Sequence, residues 1–158
     1  MTTAVDTNAL LAILYEDEYT DTSETELRRA YQEGKVVITS IVYAELAADG
    51  HFGTAPELNQ FLEDFSIHVV EPSQEALFEA GKQFQRYTER RPDGLQCPSC
   101  GAKQTVTCEK CGGDLVPRQH IAADFIIGGH AMTDADAVVS FDAAFYETYF
   151  PSLTVYPE

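Results

Sequence analysis

Short β-branched runs alternate with helix-length segments along almost the whole chain, and this alternation restricts the fold more than any single motif. Thr3-Ala4-Val5, Val36-Val37-Ile38, Ile67-His68-Val69-Val70, the run from Ala137 to Phe141 and Thr154-Val155-Tyr156 read as strands. Helical spacing predicts helices over residues 9–14, 22–31, 73–90, 119–132 and 143–150, with two more after Ser40 and after the break at 50–56. Gly34 is placed to end the second helix, and Ser40 stands where an N-cap for the third belongs. Strands that alternate with helices imply βαβ units, hence a mostly parallel sheet covered on both faces. The 158 residues supply one good core and too little for two ordinary domains, so residues 1–158 are expected to form a single domain. No internal repeat is evident along it. No run approaches the roughly 18 apolar residues that span a bilayer. The start of the chain has neither the basic nor the apolar region of a signal peptide. A cytoplasmic protein without membrane contact is expected.

Twenty-six acidic against ten basic residues leave a formal net charge of −16. Such a chain repels nucleic acid at low ionic strength. At molar salt the Debye length falls to about 3 Å, so the same composition suits a halophilic, salt-adapted cytoplasm. A basic partner is the competing explanation, and acidity alone does not exclude an RNA substrate.

Four acids fall in apolar settings or at strand ends. Asp6 ends the first strand, and Asp142 directly follows Val138-Val139-Ser140-Phe141. Glu45 has Ile41 and Val42 one turn before it, and Asp124 has Ile121 three residues before and Gly128 four after, which puts both on packing faces. Carboxylates gathered away from water must either protonate or bind a cation. No Lys or Arg lies within a few residues of any of the four. Ligands of open α/β sheets collect beyond the carboxyl ends of the strands, and hard oxygen donors there suit Mg²⁺ or Mn²⁺. Each acid also has an ordinary reading: Asp6 and Asp142 as helix caps or turn residues, Glu45 as a solvated helix residue. Asp124, between apolar and small neighbours, is hardest to explain that way.

Taken in order, these residues resemble the PIN-domain nucleases. The resemblance rests on Val5-Asp6-Thr7-Asn8, on Ser40 with Glu45 five residues on, on Ala123-Asp124-Phe125-Ile126-Ile127, and on Ser140-Phe141-Asp142 before Phe145. The ending Phe150-Pro151-Ser152-Leu153-Thr154-Val155 is similar to that of VapC toxins of type II toxin–antitoxin pairs. The resemblance implies a three-layer α/β/α sandwich with a parallel sheet of about five strands, and Mg²⁺- or Mn²⁺-dependent endoribonuclease activity. It implies Asp6 and Asp124 as direct metal ligands, Glu45 and Asp142 as completing the acidic pocket, and Asn8 and Ser40 as supporting hydrogen-bonders. It further implies a homodimer and inhibition by a small VapB-like antitoxin. Ser140 departs from the Thr usual there, and an inserted cysteine segment departs from typical VapC toxins.

That insertion covers residues 91–118. Cys97-Pro98-Ser99-Cys100-Gly101 and Cys108-Glu109-Lys110-Cys111-Gly112 place two C-x-x-C pairs seven residues apart. Four thiolates in two tight turns suit a structural tetrahedral Zn²⁺ site; disulfides are the alternative. Six of the ten basic residues fall between 86 and 118, among them Arg90, Arg91, Lys103, Lys110 and Arg118. They suggest a basic arm that grips RNA phosphates beside an acidic body, against the simpler reading that zinc merely folds a loop without a core. His51, His68, His120 and His130 are too scattered to form a metal set, Gly128 and Gly129 suggest close helix–sheet packing, and Asp134 and Asp136 read as loop acids. The expected function is therefore a toxin-like endoribonuclease. An rRNA- or tRNA-processing PIN nuclease and a non-catalytic RNA- or protein-binding module are the alternatives.

Overall fold

A computed structural model describes residues 1–90, 94–97, 100, 102–115 and 121–157. The chain runs β1 (Thr2–Val5), α1 (Thr7–Tyr15), α2 (Thr20–Glu33), β2 (Lys35–Thr39), α3 (Ser40–Asp49), α4 (Ala55–Asp64), β3 (Ile67–Val70) and α5 (Gln74–Arg90). Four two-residue strands follow: β4 (Leu95–Gln96), β5 (Lys103–Gln104), β6 (Val106–Thr107) and β7 (Asp114–Leu115). The chain closes with α6 (Ala123–Asp134), β8 (Ala137–Val139), α7 (Ala143–Tyr149) and β9 (Thr154–Tyr156).

Five strands form one sheet in the order β3-β2-β1-β8-β9, every neighbour parallel. Successive side chains of a strand face opposite sides, and here they feed two separate cores. Val5, Val36, Ile38 and Val139 pack with Leu10, Leu27, Val42, Leu46, Leu58 and Leu62 from α1 to α4. Ala4, Val37 and Val138, one residue out of step, pack with Ala80, Phe125, Ala131, Tyr146 and Phe150 from the α5–α7 side. This alternation makes the sheet the middle layer of an α/β/α sandwich. Among the described residues no helix is long and apolar enough to cross a membrane.

The structure corrects several boundaries. Thr39, not Ser40, caps α3: its hydroxyl accepts from Val42 N at 3.3 Å, and Ser40 is already the first helical residue. The fourth sheet strand ends at Val139, because Ser140 and Asp142 turn away to begin the next helix. The helix expected from 119 starts at Ala123, with residues 119 and 120 outside those described. Asp134 ends that helix and is no loop acid; it accepts hydrogen bonds from Ser73 N and Oγ. Gly128 and Gly129 do permit close packing, but against other elements than the sheet. A Cβ on Gly129 would lie 2.5 Å from the Ala76 carbonyl oxygen of α5, and one on Gly128 would lie 2.2 Å from the Phe150 ring.

The cysteine segment does hold a repeat. β4 pairs antiparallel with β5 and β6 with β7, in registers Leu95↔Gln104 and Val106↔Leu115. Each hairpin closes with a cysteine amide bonding a carbonyl five residues on, Cys97 N to Ala102 O at 2.9 Å and Cys108 N to Gly113 O at 2.7 Å. Every matching position, Cys97 with Cys108 and Gln104 with Leu115, is offset by 11 residues. The repeat escapes a periodicity search because it has just two units and almost no apolar pattern. The shared C-x-x-C-G signature was its visible trace.

Candidate active site

Helices that connect parallel strands run back along them, so α6 begins at the end of the sheet where β1 finishes. That geometry places Asp6 and Asp124 on one cavity of about 450 Å³, together with Thr7, Asn8, Leu11, Glu45, Ala48 and Asp49. Three of the four expected acids therefore share a cavity. Asp142 does not line it but lies close enough for its charge to act on Asp124.

Asp6 is the centre of this arrangement. It is 5% exposed and extends β1, with its amide bonded to Val139 O at 2.9 Å. Its Oδ1 accepts from Thr7 N at 2.7 Å, so the capping role is real and coexists with the cavity position. Its Oδ2 accepts from Ser140 Oγ at 2.7 Å, Tyr146 Oη at 3.0 Å and Asn8 Nδ2 at 3.2 Å. Burial nevertheless dominates: it lifts the carboxyl from an ordinary 3.8 to about 6, against the opposing pull of the Ser140 and Tyr146 hydroxyls, with Asp124 adding repulsion. Burial, then the charge of Asp6, holds the Tyr146 phenol far above its usual range, so it remains a donor.

Ser140, 1% exposed, is the hub of the network. It donates to Asp6 and accepts from Asn8 Nδ2 and from the Asp142 amide, both at 3.1 Å. Asn8 completes the loop through Oδ1, which accepts from Phe141 N at 3.1 Å. Asn8 thus bonds to Asp6 and Ser140 at once. The Ser40 hydroxyl donates to Glu71 Oε2 at 2.8 Å, and among the described residues no hydrogen bond joins it to the four acids. Thr7 Oγ1 donates to Glu45 Oε2, which ties α1 to α3 across the cavity. Ser140, Tyr146 and Thr7 were missed as candidates. A buried Tyr four residues past an acid looks like core in a sequence, and Thr7 looks like part of a cap.

Exposure also differs from expectation. Glu45 is half-buried, whereas Asp124 and Asp142 are exposed. Asp124 stands on the helix face that buries Ile127, Gly128 and Ala131, but in the first turn, where that face looks into the cavity. Ile121, expected to pack beneath it, precedes the helix and is exposed. The carboxyl of Asp124 is still raised above the usual range, first by partial burial in the cavity wall and then by Asp142. Asp142 caps α7 through Phe145 N at 3.2 Å, so its capping role also holds.

Among the described residues no cationic side chain lines the cavity, and none of the four acids forms a salt bridge. Among the same residues, no three His, Cys, Asp or Glu side chains converge closely enough to hold a metal ion, at the acids or at the cysteines. The donor chemistry at the acids still fits a hard divalent ion, because a buried carboxylate with raised affinity for protons faces a second carboxylate across open space. None of the four cysteines forms a disulfide. Backbone amides of Cys111 and Lys110, followed by the Cys111 thiol, hold the Cys108 thiol below its usual range. Arg90, Lys103 and Lys110 are exposed; Arg91 and Arg118, like His120, lie outside the described residues.

An α/β/α sandwich with carboxylates gathered where β1 meets the helices beyond it defines a class of acidic-site domains. The PIN domain family profile matches residues 3–151, and the chain belongs to that family. Two solved structures share the fold. One is VapBC2 from Rickettsia felis, bound to a DNA fragment from their promoter: TM-score 0.60, 17% identity, covering 98% of this chain and 97% of that one. The other is VapBC-1 from nontypeable Haemophilus influenzae: TM-score 0.60, 18% identity, covering 98% and 96%. No curated protein matches the sequence significantly. PIN domains are generally nucleases.

Proposed function

We propose that this protein is a Mg²⁺- or Mn²⁺-dependent endoribonuclease and the toxin of a type II toxin–antitoxin pair. One observation carries the reading: in a PIN-family chain, the buried carboxyl of Asp6 shares a cavity with Asp124 and Glu45, and no cation among the described residues lines it. Asp6 and Asp124 would hold the ion, with Glu45 and Asp142 completing the acidic set. When bound, such an ion polarises the scissile phosphate and lowers the pKa of its water. The chain's own residues supply the frame. Ser140, Tyr146 and Asn8 fix the Asp6 carboxylate, and Thr7 fixes Glu45. The VapBC complexes that share the fold support a VapB-like antitoxin as partner, and a homodimer belongs to the same reading. Chain-wide acidity supports a halophilic setting, in which screening lets an acidic body approach RNA.

The two hairpins would hold a structural Zn²⁺ through Cys97, Cys100, Cys108 and Cys111, an insertion over 91–118 within a single domain over 1–158. The lowered Cys108 thiol and the duplicated C-x-x-C turn support this. Arg90, Arg91, Lys103, Lys110 and Arg118 would form a basic arm toward RNA. The presence of the hairpins favours, as a second reading, a PIN nuclease that processes rRNA or tRNA; finding an antitoxin-sized reading frame directly upstream would favour the toxin instead. A non-catalytic binding module would not need the acids. Cleavage of total RNA with and without Mg²⁺ tests the proposal: Asp6→Asn and Asp124→Asn should each lower the metal-dependent rate by at least a hundredfold. Equal cleavage by wild type and both variants would falsify it.

A further inference from the structure

We propose that Tyr15 and Tyr19 form a base-stacking platform at the rim of the acidic cavity that selects RNA with unpaired bases, an inference that rests on the nuclease reading above. Tyr15 ends α1, and its Oη donates to Asp49 Oδ2 at 2.6 Å. Asp49 lines the cavity one turn beyond Glu45, so the ring is pinned to the rim on the α3 side. Tyr19 is linked to the same site through Phe141. Its ring sits 4.6 Å from the Phe141 ring at an interplanar angle of 30°. The Phe141 amide is held by Asn8, which lines the same cavity, and Phe141 directly precedes Asp142. Tyr15 is therefore bonded to a residue of the cavity wall, and Tyr19 stacks on a residue whose amide a wall residue holds.

The turn between them is fixed in place. Glu16 adopts a left-handed conformation (φ 49°) that closes α1, and its amide bonds back to that helix. Asp17 Oδ1 accepts from Tyr19 N at 2.8 Å, and Thr20 Oγ1 donates to Ala12 O at 2.8 Å. Even so, Tyr15 and Tyr19 are 56% and 46% exposed, in a protein that fully buries Tyr146 and Phe150. An exposed ring held rigidly has little conformational freedom to lose when a base stacks on it.

Charge explains why stacking is the suitable grip. Among the described residues the cavity lining holds acids and no cation, and the chain carries a net charge of −16, so the wall repels phosphate. Stacking needs no charge and survives molar salt, and every base offers a π face. Paired bases already stack within a duplex, so the platform favours single strands.

Steady-state cleavage of a fluorogenic single-stranded RNA by the full chain, with Mg²⁺ at high KCl, reads the platform. Tyr15→Ala and Tyr19→Ala should each raise KM roughly 5- to 100-fold with a smaller effect on kcat. Tyr15→Phe, which keeps the ring but frees it from Asp49, should raise KM less than Tyr15→Ala, and Phe78→Ala, which removes an exposed ring on α5, should stay near wild type. The chain has no Trp, so tyrosine fluorescence gives an independent readout in EDTA: single-stranded RNA should quench it, duplex of the same sequence should not, and the alanine variants should lose the effect. An unchanged KM, equal losses in Tyr15→Ala and Tyr15→Phe, or variants that lose a VapB-type protein partner while their RNA kinetics hold each overturn the platform. Should wild type cleave no RNA, the nuclease reading fails separately, and the quenching result alone decides on stacking.

Discussion

A single carboxyl group sets the energetics of the site. Asp6 titrates near 6 in the fold against 3.8 ordinarily, so the folded, metal-free protein binds that proton more tightly than the unfolded chain does. A raised folded pKa contributes no penalty below about pH 4, and stability is lost as pH rises through 6, to a limit of about 3 kcal/mol. Urea unfolding of chelator-treated protein at pH 4.5 and pH 8 should therefore show Asp6→Asn gaining about 2 kcal/mol on wild type between the two conditions. Mg²⁺ added at pH 8 should stabilise wild type and leave the variant unmoved. A difference that stays flat with pH would show that burial does not strain this carboxyl. Residues at this scale were unevenly legible. Asp6 could be found from its place at a strand end, and Asn8 from the family resemblance. Ser140 stood out merely as a departure from the family's Thr, and nothing in a linear chain shows that it meets Asp6, Asn8 and Asp142 at once.

Helix termini carry the site at the level of elements. Asp6 and Asp142 each cap a helix while facing the acidic region, and the first turn of α6 presents Asp124 beside them. The position of that turn depends on how closely α6 approaches α5, which Gly129 permits. Gly129→Ala would push a methyl carbon to 2.5 Å from the Ala76 carbonyl, a backbone contact that cannot swing aside. It should cost about 1–3 kcal/mol in urea unfolding and displace Asp124, with a loss of metal-dependent cleavage. Full stability in that variant would mean the helices have slack the structure does not show. Edge-to-face packing of Phe125 on Phe145, with ring centroids 5.0 Å apart, locks α6 to α7 in the same way and so aims Tyr146 at Asp6. The helix face of Asp124 was readable from spacing; its exposure was not, because periodicity says nothing about where a helix passes the end of its sheet.

For the molecule as a whole, the hairpins between α5 and α6 and the α/β/α body make separate demands. The body has two cores of its own, whereas the hairpins have two-residue strands and exposed Val106 and Leu115. Such a unit needs a covalent or metal staple. Purified protein should carry one zinc per chain, and Cys108→Ser should lose it. A strong chelator should leave the far-ultraviolet circular dichroism of the body largely intact while making the four thiols reactive. Protein that takes up no zinc would end the metal reading of the hairpins and leave the fold untouched.

Local chemistry was enough to determine the alternation of strands and helices, the parallel sheet, the acids at strand ends and the paired cysteine turns. Each of these follows from the side-chain period or from spacing within a few residues. Tertiary structure decided the rest: which acids share a cavity, that Ser140 and Tyr146 rather than Ser40 hold the central carboxylate, and that Tyr15 bonds to Asp49 of the cavity wall. The bonds of Asp6 to Ser140 and Tyr146 span 134 and 140 positions, and no local pattern records a distance that exists only once the two cores have closed on the sheet.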